Sequence, residues 1–128
     1  MNRNLLYGDI TEKIIGAAFA VHNNLGEGLT EKTYQKALAV RLRGIGFLIE
    51  EEKQEQLFFD KTEVGFQRLD LVVEGKIVVE TKAVKSISSD YAKKLLSTLR
   101  NTPYQLGLIF NFGPSVGVQR VINSTQNK

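Results

Sequence analysis

The sequence predicts an α/β domain, a mixed sheet of four to six strands with helices on both faces. Three observations predict it. Apolar residues recur at helical spacing through the first third of the chain. The stretch Arg68-Leu-Asp-Leu-Val-Val-Glu-Gly-Lys-Ile-Val-Val-Glu-Thr-Lys82 reads as a β-hairpin rich in Leu, Ile and Val. A further helical pattern then separates the hairpin from a near-continuous apolar run, Leu106-Gly-Leu-Ile-Phe-Asn-Phe112. Strand, helix, strand implies a right-handed crossover, so this run should lie parallel to the strand that carries Glu80.

The first helix should begin near Asp9, with Asp9 as cap and Glu12 in capping-box position. Ile10, Ile14, Ala17, Ala18, Val21 and Leu25 form its core stripe, and Gly26 or Asn24 supplies a left-handed end. His22, beside that stripe, reads as a packing or capping residue. Thr30 should cap a second helix running to about Arg43, where Gly44 and Gly46 stop it. Tyr34, Ala37, Leu38, Leu42 and Ile45 form its stripe, and Glu31 is expected to project from the same buried face. Two short strands follow, Phe47–Glu50 and Gln56–Phe59, separated by charge, and the second turns at Asp60-Lys61 into the arm bearing Asp70. The run Glu50-Glu51-Glu52 reads as a solvated edge. Caps at Ser86–Ser89 should open a helix to about Arg100, burying Ala92, Leu95, Leu96 and Leu99, before Thr102-Pro103 stops it. A last strand near Val116–Ile122 precedes a polar tail, Asn123–Lys128, expected to fray.

The chemistry concentrates in the hairpin. Leu69, Leu71, Val73, Ile77 and Val79 are apolar at every odd position, as a core-facing side requires. The even positions hold Asp70, Val72, Val78, Glu80 and Lys82. An odd-length turn at Glu74-Gly75-Lys76, with Gly75 at positive φ, keeps both carboxylates on one face. Adjacent partly buried carboxylates are costly unless a cation or a proton lies between them. Two such oxygen ligands, with the backbone carbonyl of Thr81 between them, suit a hard divalent ion such as Mg²⁺ or Mn²⁺. Lys82 would sit beside it, holding a water nucleophile or a phosphate oxygen. Glu31 is a candidate third carboxylate. A hairpin end that simply emerges into solvent, with Glu80 and Lys82 as a weak surface pair, accounts for the same pattern.

At 128 residues the chain reads as one domain, residues 1–128, with a core at about 9–122. It contains no cysteine and a single histidine, which excludes disulfides, thiolate metal sites and multi-histidine centres. With no apolar run of membrane-spanning length and no signal-peptide core at its start, it is expected to be soluble and cytoplasmic. The net charge of +3 is uneven. Residues 1–75 hold nine Lys/Arg against twelve Asp/Glu, and residues 76–128 hold eight against two. The basic half, with Lys82, Lys85, Lys93, Lys94, Arg100 and Arg120, is suited to a phosphate backbone, though a solvated face explains the charge equally simply.

The motifs resemble a known family. Asp70, nine residues, then Glu80-Thr81-Lys82 is similar to the signature of the PD-(D/E)XK nuclease superfamily, with Leu69 in place of its proline. Gly28-Leu-Thr-Glu31-Lys-Thr-Tyr34 resembles the pattern that names the GxxExxY protein family, a bacterial and archaeal family within it. The likeness continues through Val79-Glu80-Thr-Lys82-Ala83 and Gly107-Leu-Ile-Phe-Asn-Phe-Gly113, covering roughly residues 9–122. It implies a PD-(D/E)XK nuclease-like fold, with Asp70 and Glu80 as metal ligands, Glu31 as a helix-borne acid and Lys82 as the catalytic lysine. The implied activity is Mg²⁺- or Mn²⁺-dependent hydrolysis of DNA or RNA, for which the basic half of the chain offers Lys85, Lys93 and Lys94 as nucleic-acid contacts. One departure stands out. Where relatives show Gln-Leu-Leu-x-Tyr-Leu, this chain has Lys94-Leu-Leu-Ser-Thr98-Leu. That change leaves a catalytically inactive nucleic-acid-binding module or a protein-interaction module as the alternatives.

Overall fold

The computed structural model describes residues 5–124. Its elements run α1 (Gly8–Leu25), α2 (Glu31–Ile45), β1 (Ile49–Phe59), β2 (Thr62–Val73), β3 (Ile77–Lys82), α3 (Ser89–Arg100), β4 (Leu106–Phe112) and β5 (Val116–Ile122). The five strands form one sheet in sequential order. β3 and β4 are parallel and the other neighbours antiparallel, as the crossover through α3 demands. α1 and α2 cover one face, packing Ile14, Tyr34 and Leu38 against Leu71, Val79, Leu108 and Phe110. α3 covers the other, packing Leu95 and Leu99 against Val72, Val78 and Ile109. Because β4 is covered on both sides, every one of its residues is buried, which is why it reads as a continuous apolar run. No helix among the described residues is long and apolar enough to cross a membrane.

Several local expectations need correction. Asp9 does not cap α1. The preceding Tyr7 holds a left-handed conformation with no side-chain cap, and Thr11 Oγ1 instead donates to the Gly8 carbonyl. α2 continues through Gly44 to Ile45, whose side chain is exposed, and ends at Gly46 with φ 112°. The charged residues between Phe47 and Phe59 do not divide two strands; they belong to one eleven-residue strand, β1. Their charges are paired: Glu51 by Lys36 and Arg43 and Glu52 by Lys32 of α2, Glu55 by the Tyr104 hydroxyl, and Glu50 and Glu55 by Lys53 of the strand itself. Arg120 is not available to a phosphate, because it donates to the Leu6 carbonyl and to Thr11 Oγ1 and so ties β5 to the start of α1. Asn123 is buried and its N–H donates to the Gln105 carbonyl, so the expected fraying does not begin there. Residues 125–128 of that tail lie outside the described residues.

The glycine and tyrosine of Gly28…Tyr34 have a structural task. Tyr34 is fully buried and stacks on Phe112 at 4.6 Å between ring centroids. Its hydroxyl donates to the Gly26 carbonyl and accepts from the Leu29 N–H. Gly28, at φ 102°, makes the backward bend that brings those groups over the ring. Replacing Tyr34 by Phe should therefore destabilise the protein by about 1–3 kcal/mol, because two backbone groups lose their partner. Denaturant unfolding of the two proteins checks this; an unchanged midpoint would mean that water replaces the hydroxyl without loss. His22 is occupied comparably, with Nε2 2.8 Å from the Gly113 carbonyl and its ring beside Phe112.

Candidate active site

The hairpin turn is the odd-length one. Val73 pairs with Ile77, Glu74 and Gly75 both take positive φ, and the Lys76 N–H donates to the Val73 carbonyl. Beyond the turn the β2–β3 ladder lasts only three pairs and ends at Leu71–Val79. There β2 leaves β3, and side-chain bonds replace the ladder. Asp70 Oδ2 accepts from both the N–H and the hydroxyl of Thr81, at 2.8 and 3.1 Å, while Glu80 Oε2 accepts from the Asp70 N–H at 3.1 Å. Each acid thus takes a hydrogen bond at the opposing strand's backbone, which brings the two carboxylates together.

This bend also overturns the expected placement of Leu69. It packs with Leu95 and Leu99 under α3, whereas Leu71 faces α1 and α2. The alternation breaks between them, opposite Glu52, whose φ is 50°. Glu51 and Glu52 accordingly both reach α2, where strict alternation would send one of them away.

Glu80, Lys82, Arg68 and Lys94 line a cleft of about 200 Å³ between the end of β3 and α3. Its walls include Phe66, Gln67, Tyr91 and Thr98. Lys82 Nζ lies 4.5 Å from the centre of the Tyr91 ring, a cation–π contact that fixes the ammonium beside Glu80. Thr98 Oγ1 is near both the Gln67 side-chain oxygen and the Lys94 carbonyl. Burial and the adjacent Asp70 charge raise the Glu80 carboxyl to about 7, while the Asp70 N–H, Lys82 and Lys94 offset part of that rise. The chain just past Lys82 is clamped: Asn111 accepts from the Val84 N–H and donates to its carbonyl. A Cβ on Gly113 would come within 2.8 Å of that carbonyl, so only glycine fits there without the clamp shifting.

The other candidates are dispersed. Glu31 is exposed at the first turn of α2, and α2 reaches the β2 bend with Gln35 instead. Gln35 is buried and its amide lies 3.4 Å from both the Asp70 carbonyl and Glu52 Oε2. Lys93 is exposed on α3 outside the cleft, and Lys85 lines separate hollows beside Gly113 and Ser115. Thr81 serves Asp70 through its N–H and hydroxyl. Sequence reasoning missed Gln35, Gln67, Arg68 and Tyr91. Two of these carry a legible signal: Gln35 interrupts the buried stripe of α2, and Tyr91 lies three and seven residues from Lys94 and Thr98, on one helical face.

The donors suit a hard cation. Asp70 Oδ1 and Glu80 Oε1 take no hydrogen bond among the described residues, and the pair crowds two like charges in partly desolvated surroundings. No group of three His, Cys, Asp or Glu residues is arranged to hold a metal among the described residues, so the set consists of two acids.

A mixed five-stranded sheet with an acid pair and a lysine at the divergence of its hairpin defines a nuclease-like α/β domain. Residues 8–121 match the model of the PD-(D/E)XK nuclease superfamily, and the chain belongs to that superfamily. Its fold is similar to a solved structure titled "Crystal structure of SSO0001", with a TM-score of 0.51 at 13% identity over 91% of this chain and 79% of that one. No curated protein matches the chain. Superfamily membership suggests nuclease activity, a nucleic-acid substrate and dependence on a divalent metal.

Proposed function

We propose that the protein is a cytoplasmic nuclease of the GxxExxY family that hydrolyses phosphodiester bonds of DNA or RNA with Mg²⁺ or Mn²⁺. The observation that carries this reading is the Asp70–Glu80 pair joined across the β2–β3 divergence, with Lys82 lining the cleft beside Glu80. Asp70 and Glu80 would hold the ion. When bound, it supplies Lewis-acid polarisation of a phosphoryl oxygen and a more acidic water. Lys82, steadied by Tyr91, donates to the attacking water or to a non-bridging phosphate oxygen. Lys94 and Arg68 neutralise the phosphates on either side. Gln35 restrains the Asp70 backbone from the opposite face of the sheet.

The second reading, a binding module without turnover, draws on Lys94 and Thr98, which line the cleft and depart from the Gln and Tyr of the family pattern that the sequence resembles. Incubating the protein with mixed DNA and RNA, in Mn²⁺ and in EDTA, separates the two. Cleavage in Mn²⁺ alone supports the nuclease. Binding without cleavage in either condition supports the module.

A further inference from the structure

We infer that the cleft admits unpaired nucleotides rather than duplex, with Phe66 as the surface on which a base stacks and Arg68 and Lys94 as its phosphate contacts. The inference rests on the nucleic-acid reading above and adds the class of substrate.

It starts from the hairpin that β1 and β2 form beyond the sheet. β2 meets β3 only at residues 71–73, so from Leu69 outward the two strands pair only with each other, as far as Phe59–Thr62. Phe66 lies where this arm joins the cleft. It lines the cavity beside Arg68, yet 52% of it is exposed. An aromatic ring left this open at the mouth of a cleft contributes little to folding. It does offer a flat apolar face, and every base has a π-face to lay against one. The cleft's second ring, Tyr91, is already covered by the Lys82 ammonium, which leaves Phe66 as the free platform.

The cations fit the same ligand. Neither Arg68 nor Lys94 forms an ion pair among the described residues, and both border the cavity. A basic groove alternating with an exposed aromatic is the arrangement that tracks a single strand, the charges following phosphates and the ring taking bases. Duplex would meet a different surface. A two-stranded ribbon that enters a groove runs between two rows of phosphates and needs cations along it. Between Phe58 and Phe66 this arm carries Asp60 and Glu63 against Lys61 alone, with Phe58, Phe59 and Val64 exposed. That tip repels a phosphate-lined groove and leaves the cleft mouth as the binding surface.

The test is fluorescence anisotropy in EDTA, where no metal-dependent cleavage interferes, using labelled single-stranded DNA and RNA oligonucleotides and the matching duplexes. Wild type, Phe66→Ala, Phe66→Trp and Arg68→Ala are compared, with circular dichroism confirming that each is folded. Single strands should bind at least about tenfold more tightly than duplex. Phe66→Ala should weaken single-strand binding by about 5- to 150-fold, the range one base stack carries, and Phe66→Trp should restore it. Arg68→Ala should reduce the salt slope for single strands by about 0.7. Equal or tighter binding of duplex, or Phe66→Ala binding as wild type does, overturns the inference. The same panel in Mn²⁺ separates the two claims. Cleavage of duplex with no effect of Phe66→Ala defeats this inference and leaves the nuclease. A Phe66-dependent preference for single strands with no cleavage of any substrate defeats the nuclease and upholds this inference.

Discussion

Replacing any one of Asp70, Glu80 or Lys82 by alanine should reduce cleavage by at least about 10²–10³-fold, the cost of removing one group that stabilises developing charge. The three act as a unit, so double variants should be little worse than single ones. The grounds are geometric. Asp70 and Glu80 each take a hydrogen bond at the other strand's backbone, so losing either carboxylate also frees the strand opposite it. Lys82 is held beside them by Tyr91. Single-turnover cleavage of a labelled substrate in Mn²⁺ measures the effect. Full activity in the Glu80 variant would mean that the acids are structural and that any chemistry occurs elsewhere. Glu31→Ala should do far less, because Glu31 is exposed at the start of α2.

The metal-free protein should lose stability as pH rises from about 4.5 to about 7, and Glu80→Gln should abolish that loss. Burial and the Asp70 charge raise the folded-state Glu80 carboxyl from 4.5 to about 7. In that window the folded state therefore holds more protons than the unfolded one, and stability falls with rising pH. Titrating through the whole window costs about 3 kcal/mol, a large share of the stability of a domain this size. A glutamine at position 80 retains an oxygen for the Asp70 N–H without the charge. The variant should be the more stable protein at pH 8, and the two should converge near pH 4. Denaturant unfolding in EDTA across this range gives the difference directly. Parallel stability profiles for the two proteins would show that Glu80 is not crowded by Asp70.

How much of this was legible follows from where periodicity holds. The odd-length turn at Glu74–Lys76 could be read because strand side chains alternate strictly, and one residue more or fewer would have separated Asp70 from Glu80. The same rule misplaced Leu69, because alternation holds only while a strand runs regularly, and Glu52 at positive φ breaks it opposite Asp70. β1 looked like two strands because its middle residues are charged. Apart from Lys53, their partners, Lys32, Lys36, Arg43 and Tyr104, lie far away in the sequence or on another element. α3 was legible to its ends, since Ser88 caps it as expected and Arg100 closes it. What the α3 periodicity did not disclose was its neighbour across the cleft. Arg68 and Gln67 come from the arm before Asp70, and only the divergence of β2 from β3 turns them toward Lys94 and Thr98.

The pairing of Asp70 with Glu80 as a cation site is tested most directly by thermal unfolding of wild type and Asp70→Asn, each in EDTA and in Mn²⁺. Asparagine keeps the shape and an acceptor for Thr81 while removing one of two crowded charges, so without metal the variant should be as stable as wild type or more so. With Mn²⁺ the order should reverse. Wild type should gain about 2.7 kcal/mol at 100-fold excess over its dissociation constant, and the variant much less. A wild-type midpoint that does not move with Mn²⁺, together with a variant weaker in both conditions, would contradict the account and make Asp70 a structural partner of Thr81.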